Sequence, residues 1–112
     1  MNVLIYIPHS TGIEYKNLLL LSLELSRTAK VTILTFDKAM LTNASILNSE
    51  INVIHKSHSH NVSSKVGRIR FWFFVKNISV DFEQYDVLVL NHDCTIEGFT
   101  FSKKTPSFVL HS

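Results

Sequence analysis

Cysteine is all but missing from this sequence of 112 residues: Cys94 stands alone, so an intrachain disulfide and a cysteine-based zinc site are both excluded. Such usage suits a reducing compartment. Glycine is scarce as well, and Gly12, Gly67 and Gly98 are spaced too widely to form either a G-x-G-x-x-G dinucleotide fingerprint or a G-x-x-x-x-G-K-[ST] phosphate loop. Excess charge is lacking too. Eleven Lys and Arg against nine Asp and Glu leave a formal charge of +2, which gives no electrostatic reason to expect a nucleic-acid partner. Long apolar runs are absent. Residues 18–21 are too few for a signal-peptide core, and the densest later stretch, residues 69–80, is interrupted by Arg70 and Lys76. The expected location is the cytoplasm, with any membrane contact peripheral, on the inner face. What the chain does have is 46% hydrophobic and 18% charged residues, the balance of one globular domain spanning 1–112.

The hydrophobic pattern predicts an α/β fold. Residues 2–7 (NVLIYI) and 30–36 (KVTILTF) are continuous apolar and β-branched runs, as strands buried on both faces of a parallel sheet are. Between them, Tyr15, Leu18, Leu19, Leu21, Leu25 and Ala29 recur at helical spacing over residues 14–29, which completes a βαβ unit with its right-handed crossover. Residues 37–49 predict a short irregular helix and 51–55 a third strand. Residues 65–80 predict a helix by length and by position between two strands, despite the aromatic block 71–74. Residues 85–91 (YDVLVLN) and 107–111 (SFVLH) supply the fourth and fifth strands. The expected architecture is a Rossmann-like doubly wound parallel sheet of about five strands in the order 3-2-1-4-5, with its ligand crevice at the carboxyl ends where that order reverses.

Several residues fall at that edge. The loop from His9 to Glu14 joins the first strand to the first helix, where backbone N–H groups and the helix dipole can hold an anion or a sugar hydroxyl. On the structural reading of the same residues, Ser10 or Thr11 caps the helix and Gly12 relieves a tight turn. His92 and Asp93 follow the fourth strand and offer an imidazole and a carboxylate to a substrate, both reaching one ligand only if the chain turns there. His111 closes the fifth strand. His55, His58 and His60 crowd one polar loop, but no carboxylate or cysteine lies among them and Lys56 would repel a cation, so no metal site is expected.

A resemblance gathers these pieces. NVLIYIP, then TGIE at residues 11–14, the leucine-rich LLLLSLELSRTA and KVTILTF resemble the opening of the GT-B glycosyltransferases, especially the large retaining family four. YDVLVLNHD and TPSFVLHS resemble that family's fourth and fifth strands, the latter in its Pro-X-X-Val-X-X-His pattern. The resemblance implies an acceptor-side domain that helps move a sugar from a nucleotide-sugar donor to a saccharide or lipid-linked acceptor. It implies a place for Gly12 near the donor phosphates and acceptor, with Thr11 standing where the family has a glycine; these two, with Glu14 of the same loop and with His92 and Asp93 beyond the fourth strand, are the candidate substrate-binding residues. It further implies that His111 lines the catalytic cleft, where an imidazole can donate a hydrogen bond to developing negative charge. Relatives hold the donor mainly on a second Rossmann-like domain. No tightly bound cofactor is therefore expected here, nucleotide-sugar binding is expected only with that second domain or subunit, and the isolated chain is expected to be an inactive fragment or one half of a split enzyme.

Residues 65–76 have the most distinctive composition. On a helix, Lys65, Arg68, Trp72 and Lys76 share one face, an interfacial pattern suited to an anionic membrane surface. The alternative is an ordinary sheet-covering helix with a core aromatic side and solvated cations. Two rivals to the transferase reading follow: a non-catalytic flavodoxin-like binding module, and a membrane-docking interaction domain.

Overall fold

The computed structural model describes residues 1–58, 63–91 and 94–111, the last including Thr95, Leu110 and His111 by their backbone alone. Five strands, β1 (Asn2–Tyr6), β2 (Lys30–Thr35), β3 (Asn52–His55), β4 (Val87–Asn91) and β5 (Phe108–His111), form one all-parallel sheet in the order β3-β2-β1-β4-β5. The expected α/β class and strand order are both found. β1 lies at the centre, with Val3 opposite Val31 on one side and Val87 on the other, which is why its whole run is apolar. The N–H of Asn2 donates to the Asp86 carboxylate, 84 residues along the chain, at 2.8 Å, and this ties the start of β1 to the entry of β4.

Alternation along the strands divides the core into two layers. Val3, Ile5, Ile7, Val31, Ile33 and Val89 pack under α1 (Gly12–Leu25), the 3-10 turn Lys38–Thr42 and α2 (Ala44–Leu47), through Leu18, Met40 and Ile46. Leu4, Tyr6, Leu34, Leu88 and Leu90 pack on the opposite face against α3 (Lys65–Lys76) and α4 (Thr95–Phe101), through Phe71, Val75 and Phe101. Phe108 and Val109 on edge strand β5 remain about half exposed.

The helices differ from expectation in instructive ways. α1 stops at Leu25 rather than continuing to residue 29, because the Lys30 N–H must meet the Met1 carbonyl at 2.9 Å to start β2, and residues 26–29 make the reversal. α3 stops at Lys76 rather than at residue 80. Both the main-chain N–H and the side-chain amide of Asn77 donate to the Phe73 carbonyl there, and the released Ile78 drops into the core. α4 was not expected at all. Its sequence, TIEGFTF, is rich in β-branched and aromatic residues, which form helices poorly. Packing holds it instead: Phe101 is fully buried, stacked 4.6 Å from Phe82, and Gly98 lets the helix approach β4 so closely that a Cβ there would stand 3.1 Å from Leu90 Cδ1.

Candidate functional site

β1 ends at a switch point: its onward connection turns to β2, whereas β4 on its other side leads away to β5. Chain segments part there, and a cavity of about 490 Å³ opens at the carboxyl edge of the sheet. β1 and its loop contribute Tyr6, Ile7, Pro8, His9 and Thr11, α1 contributes Glu14 and Tyr15, and α3 contributes Arg68 and Phe71. Asn91 at the end of β4, and Cys94 and Glu97 beyond it, close the opposite wall.

The β1–α1 loop is held by the chain that follows β2. Asp37 accepts from the Ser10 N–H at 2.9 Å, from the Ser10 hydroxyl, and from the Ala39 N–H at 2.9 Å. The Asp37 N–H in turn donates to Thr35 Oγ1 at 3.0 Å. These bonds, led by the Ser10 hydroxyl, hold the Asp37 carboxyl below the usual carboxylate range. Ser10 is therefore a clasp rather than a helix cap. Thr11 occupies the cap position with extended backbone, but its side chain makes no capping bond. Gly12 follows with φ +89°, a left-handed conformation that side chains adopt only under strain, as the tight-turn reading of this glycine requires.

The far wall centres on a hydrogen bond from the fully buried Tyr6 hydroxyl to the Glu97 carboxylate at 2.7 Å. Burial, and then the Glu97 charge, push the Tyr6 pKa well above its ordinary value, so the phenol stays protonated and serves as a fixed donor. Phe36 packs edge-on against Tyr6 at 5.6 Å, and His58 packs against Phe36 and Phe71 at 5.0 Å each. The site thus combines carboxylates, an amide and imidazoles with aromatic surface. Such a set can hold hydroxyl groups by hydrogen bonds and ring C–H faces by contact.

Of the residues singled out from sequence, Thr11 and Glu14 line this cavity, with Gly12 shaping the turn between them. His111 is the register partner of Asn91 at the end of β5, so its backbone reaches the same edge of the sheet. His92 and Asp93 lie outside the described residues. Arg68, selected for its helix face, also lines the cavity. Lys65, Trp72 and Lys76 share the exposed side of α3, with Lys76 Nζ 4.9 Å from the Trp72 ring centre. Of the histidine loop, His55 ends β3, His58 joins the aromatic cluster, and His60 lies outside the described residues. Among the described residues, no three His, Cys, Asp or Glu side chains are grouped to hold a metal ion, and no helix is long and apolar enough to cross a membrane.

Sequence reading passed over Tyr6, Asn91 and Glu97. Tyr6 and Asn91 sit in strands that read as core, and Glu97 belongs to the unexpected α4. The one available signal was the single polar residue ending an otherwise apolar strand, VLVLN. Comparison with protein families, curated proteins and solved structures finds no match to this chain.

Proposed function

We propose that this chain is the acceptor-side Rossmann-like domain of a GT-B-type glycosyltransferase, and that the cavity at the carboxyl edge of its sheet receives a saccharide or the sugar end of a lipid-linked acceptor. The observation that carries the reading is the composition of the cavity over the switch point, where Glu14, Glu97 and Asn91 face aromatic and apolar walls. Carboxylates and amides accept hydrogen bonds from sugar hydroxyls, and ring faces contact the apolar side of a pyranose. A volume of about 490 Å³ suits a small saccharide rather than a dinucleotide. The resemblance of TPSFVLHS to the family's fifth strand gives His111 the role of hydrogen-bond donor to the transferred group, and His92 and Asp93, which follow the fourth strand in sequence, are assigned as acceptor ligands. The nucleotide-sugar donor belongs to a second Rossmann-like domain or subunit. Titration of the isolated chain by calorimetry is expected to show no appreciable affinity for nucleotide sugars, together with weak, saturable binding of neutral saccharides. Micromolar nucleotide-sugar affinity would overturn the division of labour, and failure of every saccharide to bind would overturn the acceptor assignment.

A specific feature of α3 favours a cytoplasmic domain that also rests on an anionic membrane. Val66, Ile69 and Phe73 form an exposed apolar stripe, 61%, 55% and 52% accessible, on the solvent side of the helix. Lys65, Arg70, Trp72 and Lys76 border it, and α3 contains no acidic residue. An apolar stripe between cations is the arrangement that lies in a lipid interface.

A further inference from the structure

Four of the five side chains of β4 are aliphatic; Asn91 is the exception. It is 5% exposed, and its Oδ1 has no hydrogen-bond partner among the described residues. The sheet gives no reason for the amide. Pairing with β5 runs through the main chain, where Asn91 stands opposite His111, and the turn after β4 uses the Asn91 carbonyl, which accepts from the Cys94 N–H at 3.1 Å. A leucine at this position would fit the strand pattern and leave no polar atom unpaired. Buried polar groups normally find partners, and one left unpaired inside a binding cavity points to a group supplied by the bound molecule.

We infer that Asn91 reads the ligand of the switch-point cavity: its side-chain oxygen accepts a hydrogen bond from a hydroxyl of the bound molecule, so that the site selects neutral hydroxylated ligands over anions and over molecules without a donor at that point. The inference rests on the assignment of the cavity to a saccharide. Its surroundings agree with an acceptor role. The Glu14 and Glu97 carboxylates line the same cavity, and the Tyr6 hydroxyl donates to Glu97, so the available oxygens call for donors from the ligand. Arg68, His9 and His58 are the basic groups that also line the space; Arg68 and His9 are exposed to solvent, and His58 packs against Phe36 and Phe71. A site that hydrogen-bonds a ligand hydroxyl from a buried acceptor discriminates strongly against the analogue lacking it, because that acceptor is then left unpaired.

The test uses the full chain labelled with 15N and a panel of neutral probes: methyl glucoside, N-acetylglucosamine and myo-inositol, a per-O-methylated glucoside without donors, and inorganic phosphate. At least one hydroxylated probe is expected to shift the Asn91 side-chain amide signal saturably, while the per-O-methylated glucoside and phosphate leave it in place. Asn91→Leu is expected to weaken that probe at least tenfold while unfolding at equal or higher urea concentration than the wild type. Asn91→Asp, which keeps an oxygen at the site, is expected to stay within about threefold of wild-type affinity, a ratio below the tenfold that corresponds to about 1.4 kcal/mol. If the leucine variant does not fold, Asn91→Ala carries the same binding expectation. Equal affinity in wild type and the leucine or alanine variant, equal binding of the per-O-methylated glucoside, loss in the aspartate variant as large as in leucine, or no response to any hydroxylated probe would each overturn the inference. Its failure is separable from failure of the transferase reading: tight nucleotide-sugar binding to this chain would sink that reading and leave the Asn91 result standing, whereas saccharide binding indifferent to position 91 would do the reverse.

Discussion

Replacing Tyr6 by Phe isolates one hydrogen bond at the wall of the cavity. The ring is fully buried and packs edge-on against Phe36 and Phe101, with centroids 5.6 and 5.4 Å away, and phenylalanine keeps both contacts. What is lost is the 2.7 Å bond to Glu97. A hydrogen bond to a charged group contributes about 1.5–3 kcal/mol, and because Glu97 is only partly buried, water can re-solvate it in the variant, which places the loss near the lower limit, about 1.5 kcal/mol. For a domain of this size that corresponds to a fall in Tm of roughly 6 °C. Urea unfolding of Tyr6→Phe, Glu97→Ala and the double variant gives the coupling directly, expected at about 1 kcal/mol. Additivity of the two single changes within about 0.3–0.5 kcal/mol would refute the reasoning. A second signature lies at high pH. Burial and the Glu97 charge raise the folded-state pKa of Tyr6 above the unfolded value of about 10, so above that pH the native chain keeps a proton that the unfolded chain releases. Tyr6 therefore contributes to a decline in stability that begins above about pH 10, at up to roughly 1.4 kcal/mol per pH unit, and Tyr6→Phe is expected to flatten that part of the profile.

Gly12→Ala places a side chain at φ +89° and is expected to destabilise the fold by about 1–2 kcal/mol in thermal or urea unfolding, whereas an unchanged midpoint would mean that the turn does not need its glycine. The lowered pKa of Asp37 contributes stability above about pH 4 that disappears as the pH falls through the folded value. Urea midpoints measured from pH 6 to pH 2 are expected to fall less steeply for Asp37→Asn, and identical slopes would remove Asp37 as a source of acid sensitivity. For α3, co-sedimentation with vesicles of phosphatidylcholine and phosphatidylserine is expected to drop when Ile69 and Phe73 are both replaced by Ser, and to drop again at high salt; binding indifferent to both changes would sink the membrane reading.

The sheet was legible because its strands are apolar runs between polar breaks, and because the crossover rule leaves few ways to order five parallel strands. α4 was not legible. Local propensity argues against a helix in TIEGFTF, and the pairing of Phe101 with Phe82 that overrides propensity is a tertiary contact. The connection between β4 and β5 calls for a helix all the same, since a parallel crossover needs a dozen or so residues and usually a helix. The site was partly legible for the same reason. Thr11 and Glu14 follow from the position of a βα loop, but Ser10 meets Asp37 only because β1 and β2 lie side by side in parallel register. Asn91 reads in sequence as the last residue of a core strand; that its strand lies between a central strand and an edge strand, with its side chain at the switch-point cavity, is decided by topology.

The central position of β1 has a consequence for how the chain folds on the ribosome. β1 leaves the exit tunnel before the other strands of the sheet, and one of its edges is covered as soon as β2 follows α1. The other edge waits for β4, whose approach is marked by the bond between Asn2 and Asp86 across 84 residues of sequence. Until β4 arrives, Val3, Leu4 and Ile5 present an open strand edge whose native partner has not yet been made. Long-range parallel pairing of this kind is slow to form and prone to association while incomplete, so the nascent β1–α1–β2 unit, rather than the finished domain, is where this protein has most to gain from a chaperone.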